Sequence, residues 1–123
     1  LYIVESVRDE VDFARGWHLF HLKQYAEAAQ TFEQMAARTD PSWKAHRSAI
    51  LANLGSVYAQ QGEVEQAAHT FCSAFRTAQE ASAFRHMQRT KTMRQQWLGE
   101  NDSPAVHRLD EEFLLSNRTR EHH

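Results

Sequence analysis

Two histidines one helical turn apart are the first residues of this chain whose spacing could support chemistry. His18 and His21 stand at i and i+3 of a predicted helix, so both imidazoles could reach the same metal ion. A metal site needs further ligands, and no acidic or cysteine residue lies within one turn of the pair. We therefore interpret the two histidines as exposed or core-edge residues and predict neither a metal nor any other cofactor.

Two other groups of residues could suggest catalysis. Cys72, the only cysteine, follows Phe71 on a predicted helix and is interpreted as a small, partly buried apolar residue, because no activating base can be placed beside it. Asp110, Glu111 and Glu112 are consecutive, and consecutive helical residues point in different directions, which favours a solvated face. The sequence has no glycine-rich phosphate loop and no G-x-S-x-G motif. We predict that the protein is not an enzyme.

One segment of the chain is strongly basic. No acidic residue occurs between Glu80 and Glu100. The interval contains the cations Arg85, Arg89, Lys91 and Arg94. These cations either pair with the acids of the following helix or form a docking site for an anionic partner such as a peptide carboxylate. Because the whole chain has a formal net charge of −2 and no groove-reading element, we predict that it does not bind DNA directly.

Large aromatic residues follow a helical spacing near the start of the chain. Phe13, Trp17 and Phe20 are separated by four and then three residues, so their rings share one side of the first predicted helix. A second apolar set runs along a neighbouring face and comprises Ile3, Val4, Val7, Val11 and Ala14. The aromatic side chains either pack against a neighbouring helical hairpin or a preceding repeat, or they anchor a ligand. The elements that position them bear on this choice.

Composition and periodicity favour an all-α fold. The chain has only 4 glycines and 2 prolines in 123 residues, and apolar residues recur at helical spacing. We expect three helical hairpins at about residues 5–38, 42–79 and 82–116. Ser42 is expected to cap the third helix and Ser103 the sixth, with Pro104 at the first helical position.

The first two hairpins contain an internal repeat. An offset of 39 residues (55 minus 16) places Gly55 on Gly16, and the same offset also aligns Val64 with Tyr25, Ala67 with Ala28, and Phe71 with Phe32. The second copy reads Leu54-Gly55-x2-Tyr58, then Ala67-x3-Phe71, and resembles the signature of tetratricopeptide repeats. The resemblance implies three antiparallel hairpins in a right-handed superhelix. Gly55 and Ala67 would then lie where two helices approach closely, and Gly62 would form the turn between them.

A finer resemblance concerns the kind of protein. The run Arg47–Ala68, the basic helix and the segment Asp102–Phe113 together are similar to the C-terminal repeat region of bacterial, actinobacterial-type helix-turn-helix regulators. This resemblance implies a sensory or interaction module that binds a peptide or protein segment. Its groove would be lined by Phe13, Trp17, Phe20, His21, Asn53, Ser56 and Gln60. The alternative is an oligomerisation module without a ligand of its own, such as a homodimer.

The remaining expectations concern domain limits and location. We expect one domain over residues 1–120, while residues 121–123 resemble the start of a purification tag. The chain opens at Leu1, which indicates a fragment of a longer chain or a chain that lacks disordered residues. No apolar run has the length of a membrane span, and a lone cysteine is typical of a reducing compartment, so we predict no membrane association and a cytoplasmic location.

Overall fold

The chain folds into helices throughout the part that can be described. The computed structural model describes the backbone of residues 2–97, 99 and 102–121, and the side chains of residues 7–97, 99 and 102–117. Within these ranges the helices are α1 Tyr2–His21, α2 Tyr25–Arg38, α3 Lys44–Gln60, α4 Val64–Glu80, α5 Phe84–Gln96 and α6 Pro104–Glu121, and no described residue lies in a strand. The predicted all-helical fold is confirmed. His122 and His123 of the tag-like end lie outside the described residues.

Three of the turns between helices share one backbone conformation. Lys23, Gly62 and Ser82 each stand two residues after a helix end and have φ values of 61°, 78° and 52°. In each turn the amide of the next residue donates to a carbonyl five positions back, as Glu63 does to Tyr58 at 3.0 Å. This is the left-handed ending that many helices use. The turn predicted at Gly62 is confirmed, and Lys23 and Ser82 adopt it without glycine.

The predicted serine caps are wrong. Ser42 does not cap α3, since its hydroxyl donates to Asp40 Oδ1 at 2.8 Å within the preceding turn and the helix begins at Lys44. The Asp40 carboxylate accepts hydrogen bonds from both the amide and the hydroxyl of Ser42. Ser42 is therefore held in a turn centred on the aspartate and is not available to cap the helix. Pro104 is the first residue of α6, as predicted, but the hydroxyl of Ser103 is buried without a hydrogen-bond partner.

Helix α3 lies at the centre of the fold and packs against α2, α4 and α5. It is buried on nearly every side, including polar residues such as Ser48 and Asn53. A helix that is buried all round has no solvent face to give it an amphipathic pattern. Aromatic rings from α2 and α4, Phe32 and Phe71, are fully buried in the core around it. Helices α5 and α6 both pack on α4, so the core extends to that end of the chain.

Candidate functional site

The aromatic side of α1 faces the body of the protein. Trp17 and Phe13 lie half-buried and pack against Phe32 of α2, with ring centroids 6.0 and 6.3 Å apart. Phe20 meets Trp17 edge-on at 5.2 Å. The second apolar set on α1 takes the opposite environment, because its described members Val7, Val11 and Ala14 are exposed. The heavier aromatic side chains therefore occupy the inner face of the helix.

Helices α1, α3 and α5 together border a cavity of about 300 Å³, which we call the inner cavity. Its lining comprises Trp17, Phe20, His21, Ser56, Ala59, Gln60, Met93, Gln96 and Trp97. Five of the seven side chains predicted to bind a peptide thus converge on one space. The other two, Phe13 and Asn53, lie elsewhere.

The chemistry of the inner cavity is apolar with an amide rim. The Trp17 indole stacks on His21 at 6.0 Å, and Trp97 is almost fully buried. Gln60 and Gln96 are exposed, so their amides can exchange water for a ligand. None of the described lining residues carries a carboxylate, ammonium or guanidinium group. Such a site suits an uncharged, apolar group attached to something with hydrogen-bonding atoms, because apolar walls with a few polar groups are the usual composition of ligand pockets.

The α5 side of the inner cavity was missed by the sequence reasoning. Met93, Gln96 and Trp97 belong to a segment whose positive charge was its most visible property. The available signal was the spacing of four between Met93 and Trp97, which aligns two large apolar residues on an otherwise polar helix. Both residues are buried.

Asn53 lies beneath the surface rather than in the cavity lining. Its side chain is fully buried, and its Oδ1 accepts a hydrogen bond from Arg89 Nη2 at 3.1 Å. Its Nδ2 has no hydrogen-bond partner. A buried amide with one unmet donor carries a desolvation cost. The predicted contact between Asn53 and a peptide backbone stays a prediction.

Phe13 lines a second, more open cavity of about 700 Å³ between α1 and the start of α3. Its polar centre is Asp9, which accepts hydrogen bonds from Arg38 at 2.6 Å and from His46 Nε2 at 2.7 Å. Burial raises the pKa of Asp9, but the bonds and charges of Arg38 and His46 outweigh burial and hold that pKa below its ordinary value. Arg38 also bonds Asp12 at 2.5 Å, so this network ties α1 to α2 and α3.

The basic helix is largely engaged within the protein. Arg94 is buried and donates to the carboxylate of Asp110 at 3.0 and 3.1 Å, while its guanidinium lies 5.2 Å from the Trp97 ring centroid. Lys91 donates to Asn117 Oδ1 at 2.6 Å. Arg89 bonds Asn53, and Arg85 is exposed. The cations of α5 therefore have separate roles, and the pairing expected with the acids of α6 is confirmed for Arg94 and Asp110.

The other α6 acid with a described partner pairs with α4 instead. Glu112 accepts hydrogen bonds from Arg76, through Nε at 2.9 Å, and from the thiol of Cys72 at 3.3 Å. Burial, followed by the effect of Glu112, raises the pKa of Cys72 to about 11. A thiol in this environment stays protonated at neutral pH and is a poor nucleophile.

The histidines of α1 are not part of a ligand cluster in the described structure. His18 and His21 are both exposed. Among the described residues, no group of three or more histidine, cysteine, aspartate or glutamate side chains could hold a metal ion. The described helices also include none that is long and apolar enough to cross a bilayer.

Comparisons with protein-family models, with curated proteins and with solved structures find no match for this chain. The resemblance to tetratricopeptide repeats therefore stays a prediction that depends on the residues quoted for it.

Proposed function

We propose that the protein is a non-catalytic module that binds a peptide or a segment of a partner protein in the inner cavity. The observation that carries this proposal is the convergence of Trp17, Ser56 and Gln96 from three different helices on one apolar space with exposed amides at its edge. An apolar side chain of the ligand would contact Trp17 and Trp97. The amides of Gln60 and Gln96 would bond the ligand backbone.

The proposed architecture is an array of three antiparallel hairpins in a tetratricopeptide-like, right-handed superhelix. Three observations support it. Successive helices from α1 to α5 pack on one another in chain order. The turn after α1 has the same conformation as the turn after α3. The glycines 39 residues apart, Gly16 and Gly55, each contact the ring of a phenylalanine, Phe32 and Phe71. In such an array α1, α3 and α5 would line the inner surface together, and these are the helices that border the inner cavity.

The proposed host is a bacterial transcriptional regulator in which this module senses or interacts with a partner, supported by the resemblance of the Arg47–Ala68 and Asp102–Phe113 segments. The module itself is proposed not to bind duplex DNA. The net charge of −2 supports this, as does the engagement of Arg94 and Lys91 with side chains of α6. Arg85 and Arg89 are the cations of α5 best placed to meet an acidic residue of a partner.

The test begins with selection of peptides from a random seven-residue library on the immobilised chain. The affinity of the selected peptide for variants is then measured by calorimetry. Gln96→Ala is expected to weaken binding by about fivefold to tenfold, the usual effect of one lost hydrogen bond. Gln95→Ala is the matched control, since Gln95 is also exposed on α5 but does not line the cavity.

Trp17→Ala is expected to lower the affinity for the same peptide by about thirtyfold or more, because a buried aromatic anchor commonly contributes about 2 kcal/mol or more to the binding free energy. Melting curves of each variant separate lost binding from lost folding. Selection that enriches no peptide, or a peptide whose affinity is unchanged by both Trp17→Ala and Gln96→Ala, would refute the proposal.

A further inference from the structure

The outward face of α1 carries a stripe of three apolar residues and one histidine that the inner cavity does not use. Val7, Val11, Ala14 and His18 are separated by four, three and four residues, and all four are exposed. The two valines are 53% and 60% exposed, which is high for large apolar side chains. The core contacts of α1 are made from its other side, by residues such as Leu19 and Phe13.

We propose that this stripe, which we call the valine stripe, pairs with the valine stripe of a second copy of the chain, with the two α1 helices parallel. A spacing that alternates four and three places residues at the a and d positions of a coiled coil. Val11 and His18 then occupy a positions, and Val7 and Ala14 occupy d positions.

The charges beside the valine stripe select the parallel orientation. In this register Glu10 occupies a g position, and Arg8 and Arg15 occupy e positions. Parallel pairing brings Glu10 of one copy to Arg15 of the other, twice across the dimer axis, because g and the following e positions meet. Antiparallel pairing would bring like charges together, glutamate to glutamate and arginine to arginine. Both Glu10 and Arg15 are exposed, and neither forms an ion pair among the described residues.

The small length of the valine stripe limits the affinity of the dimer. Two heptads would not hold an isolated helix pair together, but α1 is already folded on the body of the protein and pays no cost of helix nucleation on association. The apolar area is nevertheless small, so the dimer is weak and visible mainly at high protein concentration. This interface lies outside the inner cavity and does not depend on the proposed function.

Sedimentation velocity and equilibrium on the 123-residue chain over a range of concentrations test the dimer. The chain is expected to be a reversible dimer, and Val11→Asp is expected to weaken it at least tenfold, since a carboxylate would then sit in the apolar seam. Glu65→Arg, on an exposed site of α4, is the matched surface control and should leave the dimer unchanged. A monomer at all concentrations, or a dimer unaffected by Val11→Asp, overturns the proposal.

Charge exchange tests the orientation. Glu10→Arg and Arg15→Glu should each weaken the homodimer several-fold, because each places like charges at both contacts. An equimolar mixture of these two variants should form a heterodimer, and the double variant should regain the homodimer. If each single variant instead dimerises as tightly as the unmodified chain, and their mixture forms a dimer tighter than any of the homodimers, the helices are antiparallel and the proposal is wrong. Helical circular dichroism of each variant shows that the fold is retained.

Discussion

The ring of Phe71 lies where a side chain on Gly55 would have to stand. A Cβ at Gly55 would be 2.8 Å from Phe71 Cδ1 and 2.9 Å from Cε1, closer than such contacts allow. Phe32 and Gly16 have the same relationship 39 residues earlier in the chain. The close approach expected at Gly55 is therefore made to an aromatic ring from the next helix, and each glycine gives one ring a flat surface on which to pack.

Gly55→Ala should destabilise the protein by up to about 2 kcal/mol. Alanine improves helix propensity by about 1 kcal/mol, but the fully buried ring of Phe71 cannot move away without overpacking the core, which typically costs about 1–3 kcal/mol. Urea denaturation measures the change. The cost should shrink when Gly55→Ala is combined with Phe71→Leu. Independent, additive effects of the two substitutions would show that the ring and the glycine are not coupled.

Ser82→Gly should stabilise the protein by about 0.5–1 kcal/mol. Ser82 has a φ of 52°, and this left-handed conformation costs a non-glycine residue about 1 kcal/mol. Ser73→Gly is the control, since Ser73 is exposed in the interior of α4 and glycine should destabilise a regular helix there by roughly 0.5 kcal/mol. The unfolding midpoints of the two variants, measured by heat and by urea, should therefore shift in opposite directions. Equal changes would indicate that the turn carries no strain.

Asp9→Asn should destabilise the protein by about 2 kcal/mol at neutral pH, because it removes the charged acceptor shared by Arg38 and His46. The pKa of Asp9 is lower in the folded protein than in the unfolded chain. The stability that ionised Asp9 contributes is therefore fully present above its pKa in the unfolded chain, and it is lost as the pH falls through its pKa in the folded protein. Unfolding measured from pH 7 down to acid should show the difference between Asp9→Asn and the unmodified chain shrinking.

The control for this experiment is Asp102→Asn, because Asp102 is exposed. Its stability should follow that of the unmodified chain at every pH. A difference between Asp9→Asn and the unmodified chain that stays constant down to the acid limit would contradict the assigned linkage.

The helices could be predicted from sequence because apolar residues at a spacing of three and four identify an inner face. The exact first residues of the helices could not be predicted. Ser42 bonds Asp40 instead of capping α3, and the turn at Ser82 places the start of α5 after that residue. Burial of Asn53 was also beyond pattern reasoning. A helix that is surrounded on nearly all sides has no polar face, so the position of a polar residue along it does not indicate exposure.

The α1 and α3 sides of the inner cavity were predictable because large rings and small polar residues follow the helical period there. The α5 side was not, because Met93 and Trp97 are isolated among charged and amide residues. The valine stripe illustrates a different limit. Two apolar sets on one helix compete for the interior, and side-chain volume, rather than periodicity, decides which set is buried.

The central position of α3 determines which helices can unfold locally while the rest of the protein stays folded. In a simple stack of helices an end can detach while the rest stays closed, since each layer depends only on its neighbours. Here α3 shares its core with α2, α4 and α5, so its backbone amides can reach solvent only when much of the core has come apart. Slow exchange of backbone amide protons should therefore be concentrated in α3. The α3 side of the inner cavity is then the part that unfolds last, whereas the α1 and α5 sides unfold locally at a lower free energy.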